Sequence, residues 1–155
     1  MANAHEGGGV RGAAAVAATG LAAAGALHLV WLKSPWPLRS YEDLADAVVG
    51  VESAEGPPRA AAAAVAGLLG AASWLVTAAA RPESRPGRSR VVRAGVWTVT
   101  GVMAARGLGG LAASGLQLRA ATPRFRHWDL RVYSPLCLAL GGLTGYVAGR
   151  TRAGG

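Results

Sequence analysis

The 155-residue chain predicts an all-α fold: a four-helix transmembrane bundle with a short amphipathic helix in the first long loop. Three observations carry that expectation. Charged residues make up 15% of the chain, against about 25% in ordinary soluble domains, while 52% of it is hydrophobic. Long runs without charge recur along it. Cations stand at the ends of those runs, where membrane proteins place them. The length fits one domain, so residues 1–155 are read as a single integral membrane unit.

The first span, 12–32, lies between Arg11 and Lys33, and the second, 60–80, between Arg59 and Arg81. Each has 21 residues, which at about 1.5 Å per residue covers roughly 31 Å, matching a hydrocarbon core of about 30 Å. The third, 94–118, is interrupted once, by Arg106, and the fourth, 132–149, runs between Arg131 and Arg150. Ala and Gly dominate these runs and mean hydropathy is only +0.30, so the spans need one another to stay inserted. A soluble Ala-rich helical bundle is the competing fold. The doubled GxxxG of Gly141, Gly145 and Gly149 is a packing motif that would also suit a homo-oligomer face. The first apolar run is longer than the 7 to 15 residues of a signal-peptide core and little positive charge precedes it, which favours a retained signal anchor over a cleaved leader.

With four spans, one side carries Arg11, the loop cations Arg81, Arg85, Arg88 and Arg90, and the tail cations Arg150 and Arg152. The other side carries Lys33, Arg39, Arg59, Arg119, Arg124, Arg126 and Arg131, together with the acids Glu42, Asp43, Asp46, Glu52, Glu55 and Asp129. The dense RPESRPGRSR loop places both termini in the cytoplasm and the protein in the plasma (inner) membrane. Trp74 and Trp97 then fall in the inner half, and Trp31, Trp36 and Trp128 near the outer boundary. In the long first loop, Ser40 and Asp43 have the spacing of a capping box, and Leu44, Ala47, Val48 and Val51 recur at helical spacing. A helix over about 41–49, stopped by Gly50, is expected to lie on the bilayer, cover the end of the bundle, or act as a lid.

The net charge of +8 comes from fifteen Arg and one Lys, a preference that a GC-rich genome would produce. A sequence pI near 11.2 invites a nucleic-acid partner, but the cations flank apolar runs, so the expected partner is the lipid bilayer. One cysteine, Cys137, excludes an internal disulfide framework, and no Cys/His spacing suits a zinc site. No phosphate-binding loop, dinucleotide fingerprint or Ser/His/Asp order is visible, so neither a metal nor a cofactor is expected.

Arg106 is the sharpest single feature, because an Arg at the centre of a span costs about 2.5 to 3.5 kcal/mol on insertion scales. Thr98, Arg106, Gly110, Ser114 and Gln117 recur at multiples of three and four, so this stripe is expected to face inward. No carboxylate lies within a span, which leaves backbone carbonyls, hydroxyls, water or an acid dipping from a loop as partners. Ser134 and Pro135 read as the N-cap and first residue of the last helix. The outer ends of spans one, three and four can then gather His28, Trp31, Arg106, Asp129, Tyr133 and Cys137 into one polar pocket. Each has a plainer role: His28 as an interfacial hydrogen-bonding residue, Arg106 with Asp129 as a helix-fixing ion pair, Cys137 as packing.

The segments HLVWLKSPWPL (His28 to Leu38), EDLADAVVG (Glu42 to Gly50), RGLGG (Arg106 to Gly110) and FRHWDLRVYSPLCLALG (Phe125 to Gly141) resemble a family of small bacterial membrane proteins, the domain of unknown function 3995. The resemblance implies a four-helix integral membrane protein and assigns no reaction or ligand.

Three functions compete. The first is a non-enzymatic membrane protein whose outer pocket binds a small amphipathic or anionic ligand, with Arg106 as charge partner and the loop helix as cover. The second is an intramembrane enzyme with His28 as general acid/base, Asp129 orienting it or Arg106, and Tyr133 donating a hydrogen bond. The third is a structural assembly subunit. Ligand binding is the expectation placed first.

Overall fold

The computed structural model describes residues 2–53, 57–81 and 83–151; Glu55 and Arg152, counted above among the loop and tail charges, lie outside them. The described chain is helical, without a strand. Helix α1 spans Ala2–Val30. Helix α2, Tyr41–Leu44, runs on as a π-helical turn over Ala45–Val49. Helix α3 is Arg59–Ala79 and α4 is Arg90–Gly115. Helix α5, Pro123–Trp128, continues through a second π-turn, Asp129–Tyr133, into α6, Ser134–Arg150.

The long helices pack as neighbours, α1 on α3 and α6, and α4 on α6 and α3. Glycines set the close approaches. Gly25 of α1 faces the Ala66 carbonyl and Leu69 of α3, Gly20 faces Leu140 of α6, and Gly95 of α4 faces Leu75 of α3. Gly141 of α6 lies against Met103 and Ala104, and Gly145 against Thr100. Absence of a Cβ is what lets these helices approach so closely. Two glycines of the doubled GxxxG therefore serve an intrachain contact, and Gly149 meets nothing within 4 Å. Ser73 reaches the Ala18 carbonyl across the α1–α3 contact, and Thr100 donates to Thr144 across the α4–α6 contact, at 2.9 and 3.0 Å.

Large apolar side chains lie on the outside of these helices as well as between them. Apart from Leu21, Val76, Val96, Leu140 and Val147, the inner contacts are mostly alanine, whereas Val16, Leu68, Trp74, Val91, Leu108 and Leu136 are exposed. In water each such exposed side chain forgoes about 1.5 to 3 kcal/mol of burial; against lipid tails it forgoes little. Three helical segments, Gly7–Val30, Arg59–Ala79 and Pro123–Arg150, are long and apolar enough to cross a membrane. Helix α4, which carries Arg90, Arg93 and Arg106, is not one of them.

Several boundaries differ from the sequence reading. Helix α1 starts before Gly12 and stops at Val30, and α4 ends at Gly115 because Gln117 adopts a φ of 53°. The helix expected to start at Ser134 begins at Pro123, where Thr122 caps it by accepting from the Phe125 N–H. Pro135 lacks an N–H and its ring crowds the carbonyl of residue 131, and the π-turn just before it widens the helix there instead of ending it. Within the expected inward stripe of α4, Gly110 and Ser114 are buried but Thr98 is exposed. Twelve residues separate Thr98 from Gly110, a drift of about 120° at 3.6 residues per turn. Trp31 is buried, its indole donating to the Trp36 carbonyl, whereas Trp36 and Trp128 are exposed.

Candidate functional site

Helix α4 meets the α5–α6 segment at two glycines. A Cβ at Gly107 would press into Leu138, and one at Gly110 would collide with the Ser134 hydroxyl and the Arg106 guanidinium. Their absence lets the π-turn of α5 sit directly beside Arg106. That turn carries Asp129, whose side chain is 1% exposed, inward against α4.

The carboxylate is fully engaged. Arg106 Nη2 donates to Asp129 Oδ1 at 2.8 Å, Ser134 Oγ donates to the same oxygen at 3.0 Å, and Ser114 Oγ donates to Oδ2 at 2.5 Å. Ser114 lies eight residues beyond Arg106, just over two turns, so both reach one carboxylate from one helix. A carboxylate this buried is tolerable only when paired and hydrogen-bonded, and this one is both. Arg106 is held less completely: its side chain is 41% exposed, and among the described residues its hydrogen bonds beyond Asp129 are limited to a long 3.4 Å contact from Nη1 to Ser134 Oγ. A guanidinium offers five N–H donors, so most of its capacity faces outward.

What it faces is an open groove of about 460 Å³. Arg106, Ser114, Arg119 and Asp129 supply the polar lining; Gly109, Ala113 and Phe125 supply apolar wall, and Val48 and Val49 close one side. Those two valines belong to the loop helix. Its start is capped by Ser40, which accepts from the Asp43 N–H at 3.0 Å, and it stops at Gly50, whose φ of 83° suits glycine and whose missing Cβ leaves room for the Phe125 ring. Leu44 and Ala47 are buried as the periodicity predicts, whereas Val51 is exposed.

Five contacts tie this helix to α5 and its π-turn. Thr122 Oγ1 donates to the Asp46 carbonyl at 2.8 Å, the Thr122 N–H to the Gly50 carbonyl at 3.2 Å, and Tyr133 Oη to the Ala47 carbonyl at 3.1 Å. Arg124 Nη1 lies 2.7 Å from Asp43 Oδ1 and 3.5 Å from Asp46 Oδ2. The Arg124 hydrogen bond holds the Asp43 carboxyl below its ordinary range. The described contacts of this helix run to α5 and its π-turn, and its two valines wall one side of the groove.

Residues 10–144, which hold every one of these groups, match the profile of a family described as a protein of unknown function. The chain belongs to the DUF3995 family. No curated protein and no solved structure matches it.

Of the residues expected in one pocket of this DUF3995 protein, the structure joins Arg106 and Asp129 directly. Tyr133 does not line the groove but anchors the helix that walls one side of it. Cys137 stands half-buried one turn beyond Ser134 on α6. His28 hydrogen-bonds through Nδ1 to the Ala24 carbonyl at 2.8 Å and its ring lies 4.7 Å from that of Trp31, so these two form a pair within α1 and its following turn. Neither contributes to the groove lining. Arg119, Phe125, Val48 and Val49 were not foreseen there, because their approach to Arg106 depends on how the loop helix and α5 pack and not on sequence spacing. Among the described residues no three His, Cys, Asp or Glu side chains converge to hold a metal ion.

Proposed function

We propose that this DUF3995 protein is a four-span plasma-membrane protein, with both termini cytoplasmic, whose outer groove binds a small anionic amphiphile on Arg106. The observation that carries the reading is the asymmetry of the ion pair. Asp129 is buried and satisfied by three donors, while Arg106 turns donors toward a groove that holds a second cation, Arg119. Two guanidiniums against one buried carboxylate leave the groove net positive. Val48, Val49, Ala113 and Phe125 supply the wall an alkyl chain would contact. Four spans are supported by the packing of α4, which shares faces with α3 and α6 and hides its charge against Asp129.

The catalytic alternative draws less support. Asp129 already accepts from Arg106, Ser114 and Ser134, and the described hydrogen bonds of His28 and Tyr133 go to backbone carbonyls. Titrating decanoate against the protein in neutral detergent, with decanol as the uncharged counterpart, tests the binding reading. Arg106→Gln is expected to weaken decanoate about tenfold or more, the worth of one charge-assisted hydrogen bond, and to leave decanol unchanged. Equal decanoate affinity in both proteins refutes it.

A further inference from the structure

The other end of the helices carries a second cleft, between the start of α1 and the end of α3, of about 390 Å³. Arg11 and Arg81 stand on its rim with Glu83, and Ala14, Thr77 and Ala80 form its floor. The α3–α4 turn holds this rim in shape. The Arg81 carbonyl accepts from the Ser84 N–H at 3.0 Å and from Ser84 Oγ at 2.8 Å, and Ser84 Oγ accepts in turn from the Gly87 N–H at 3.1 Å. Gly87 is required there, since a Cβ would run into the Arg81 carbonyl.

We propose that this cleft binds the headgroup of an anionic glycerophospholipid of the inner leaflet. The cleft itself sets two arginines, Arg11 and Arg81, against one acid, Glu83, and the turn that follows, residues 81–90, also carries Arg85, Arg88 and Arg90. Arg11 Nη2 lies 3.6 Å from Glu83 Oε1, a loose pair with both side chains about two-thirds exposed (68% and 61%), so the carboxylate occupies the place a phosphodiester oxygen would take. The floor is alanine apart from Thr77, whose hydroxyl is spent on the Ser73 carbonyl, and Val16 and Trp74 stand exposed further along the same two helices. A soluble phosphate has no use for that surface, whereas a diacyl lipid lays its chains along it while its phosphate meets the arginines. Basic pockets between helices at the cytoplasmic boundary recognise anionic headgroups in this manner. The inference rests on the membrane-spanning part of the proposed function and not on the Arg106 groove.

Native mass spectrometry of the full chain, equilibrated with equal amounts of phosphatidylglycerol and phosphatidylcholine, provides the test. Phosphatidylglycerol is expected to be retained preferentially. Its retention should fall at least about tenfold in Arg11→Gln/Arg81→Gln, because each cation near an anionic surface strengthens association about fivefold. It should rise in Glu83→Gln, which removes the competing carboxylate, and stay unchanged in Arg39→Gln/Arg59→Gln, which alters cations of the other end. Equal retention of the two lipids, unchanged retention in the double variant, or displacement by millimolar glycerol 3-phosphate overturns the proposal. Should the double variant fail to fold by size exclusion, Glu83→Gln decides alone, and no rise overturns it. Retention of neither lipid would sink the membrane-spanning reading as well, which separates the two failures.

Discussion

Arg106 Nη2 lies 2.8 Å from Asp129 Oδ1, yet the two partners live in different surroundings, the arginine side chain 41% exposed and the aspartate 1%. A pair so arranged responds unequally to the loss of either member. Arg106→Ala strands a buried carboxylate and is expected to cost about 3 kcal/mol. Asp129→Asn leaves a cation that already reaches an open groove, and should cost closer to about 1 kcal/mol. Unfolding in mixed micelles against a rising denaturing-detergent fraction measures both. An equal or reversed order contradicts the assignment of burial.

Gly110 and Gly109 are neighbours with opposite environments. A Cβ at Gly110 would strike Ser134 Oγ and Arg106 and come within 3.1 Å of Asp129 Oδ2, whereas one at Gly109 meets nothing within 4 Å. Gly110→Ala should therefore destabilise by about 1 to 3 kcal/mol and disturb the groove, while Gly109→Ala gains about 0.5 kcal/mol of helix preference. The same unfolding assay reads the difference.

The loop helix should respond to acid through Asp43. Its carboxyl pKa is depressed by the Arg124 hydrogen bond, so the contact contributes fully above the unfolded value of about 3.9 and is lost as pH falls through the lower folded value. Amide exchange over residues 41–50 should hence be constant from neutral pH to about 5 after correction for intrinsic rates, and accelerate below about 4. Asp43→Asn should show the faster exchange at every pH. A wild-type profile that stays flat down to pH 2 would show that the Asp43 contact does not hold the loop helix.

Tyr133 Oη reaches the Ala47 carbonyl from the far side of the π-turn. Tyr133→Phe deletes that hydrogen bond without changing the ring, and should cost about 1 kcal/mol, seen as faster exchange confined to the loop helix. Acceleration throughout α6 would instead mark Tyr133 as a packing residue.

Much of this arrangement is written locally. Ser40 and Gly50 bracket the loop helix because cap and stop signals act within one turn, and the basic residues bound the apolar runs because insertion sorts charge by position. Arg106 announces itself because a central charge needs a partner, and Asp129 was the nearest acid to the fourth span. What stayed hidden depends on three-dimensional register. Pro135 looked like a helix start, but a π-turn absorbs it and lets the helix begin at Thr122–Pro123, which turns Asp129 from a loop residue into one inside a helix. Likewise, counting by threes and fours lost the true inward face of α4 after three turns, and nothing in the spacing told that Val48 and Val49 would wall the groove.

Arg106 and the valines of the loop helix together should make one anion-binding groove. Photocrosslinking with a diazirine-bearing decanoate, followed by peptide mapping, tests it most directly. Label is expected on residues 48–49 and 105–114, reduced about tenfold or more in Arg106→Gln and restored in large part by Arg106→Lys, which keeps the charge. Label distributed evenly over the exposed apolar faces, and unchanged by Arg106→Gln, would contradict it.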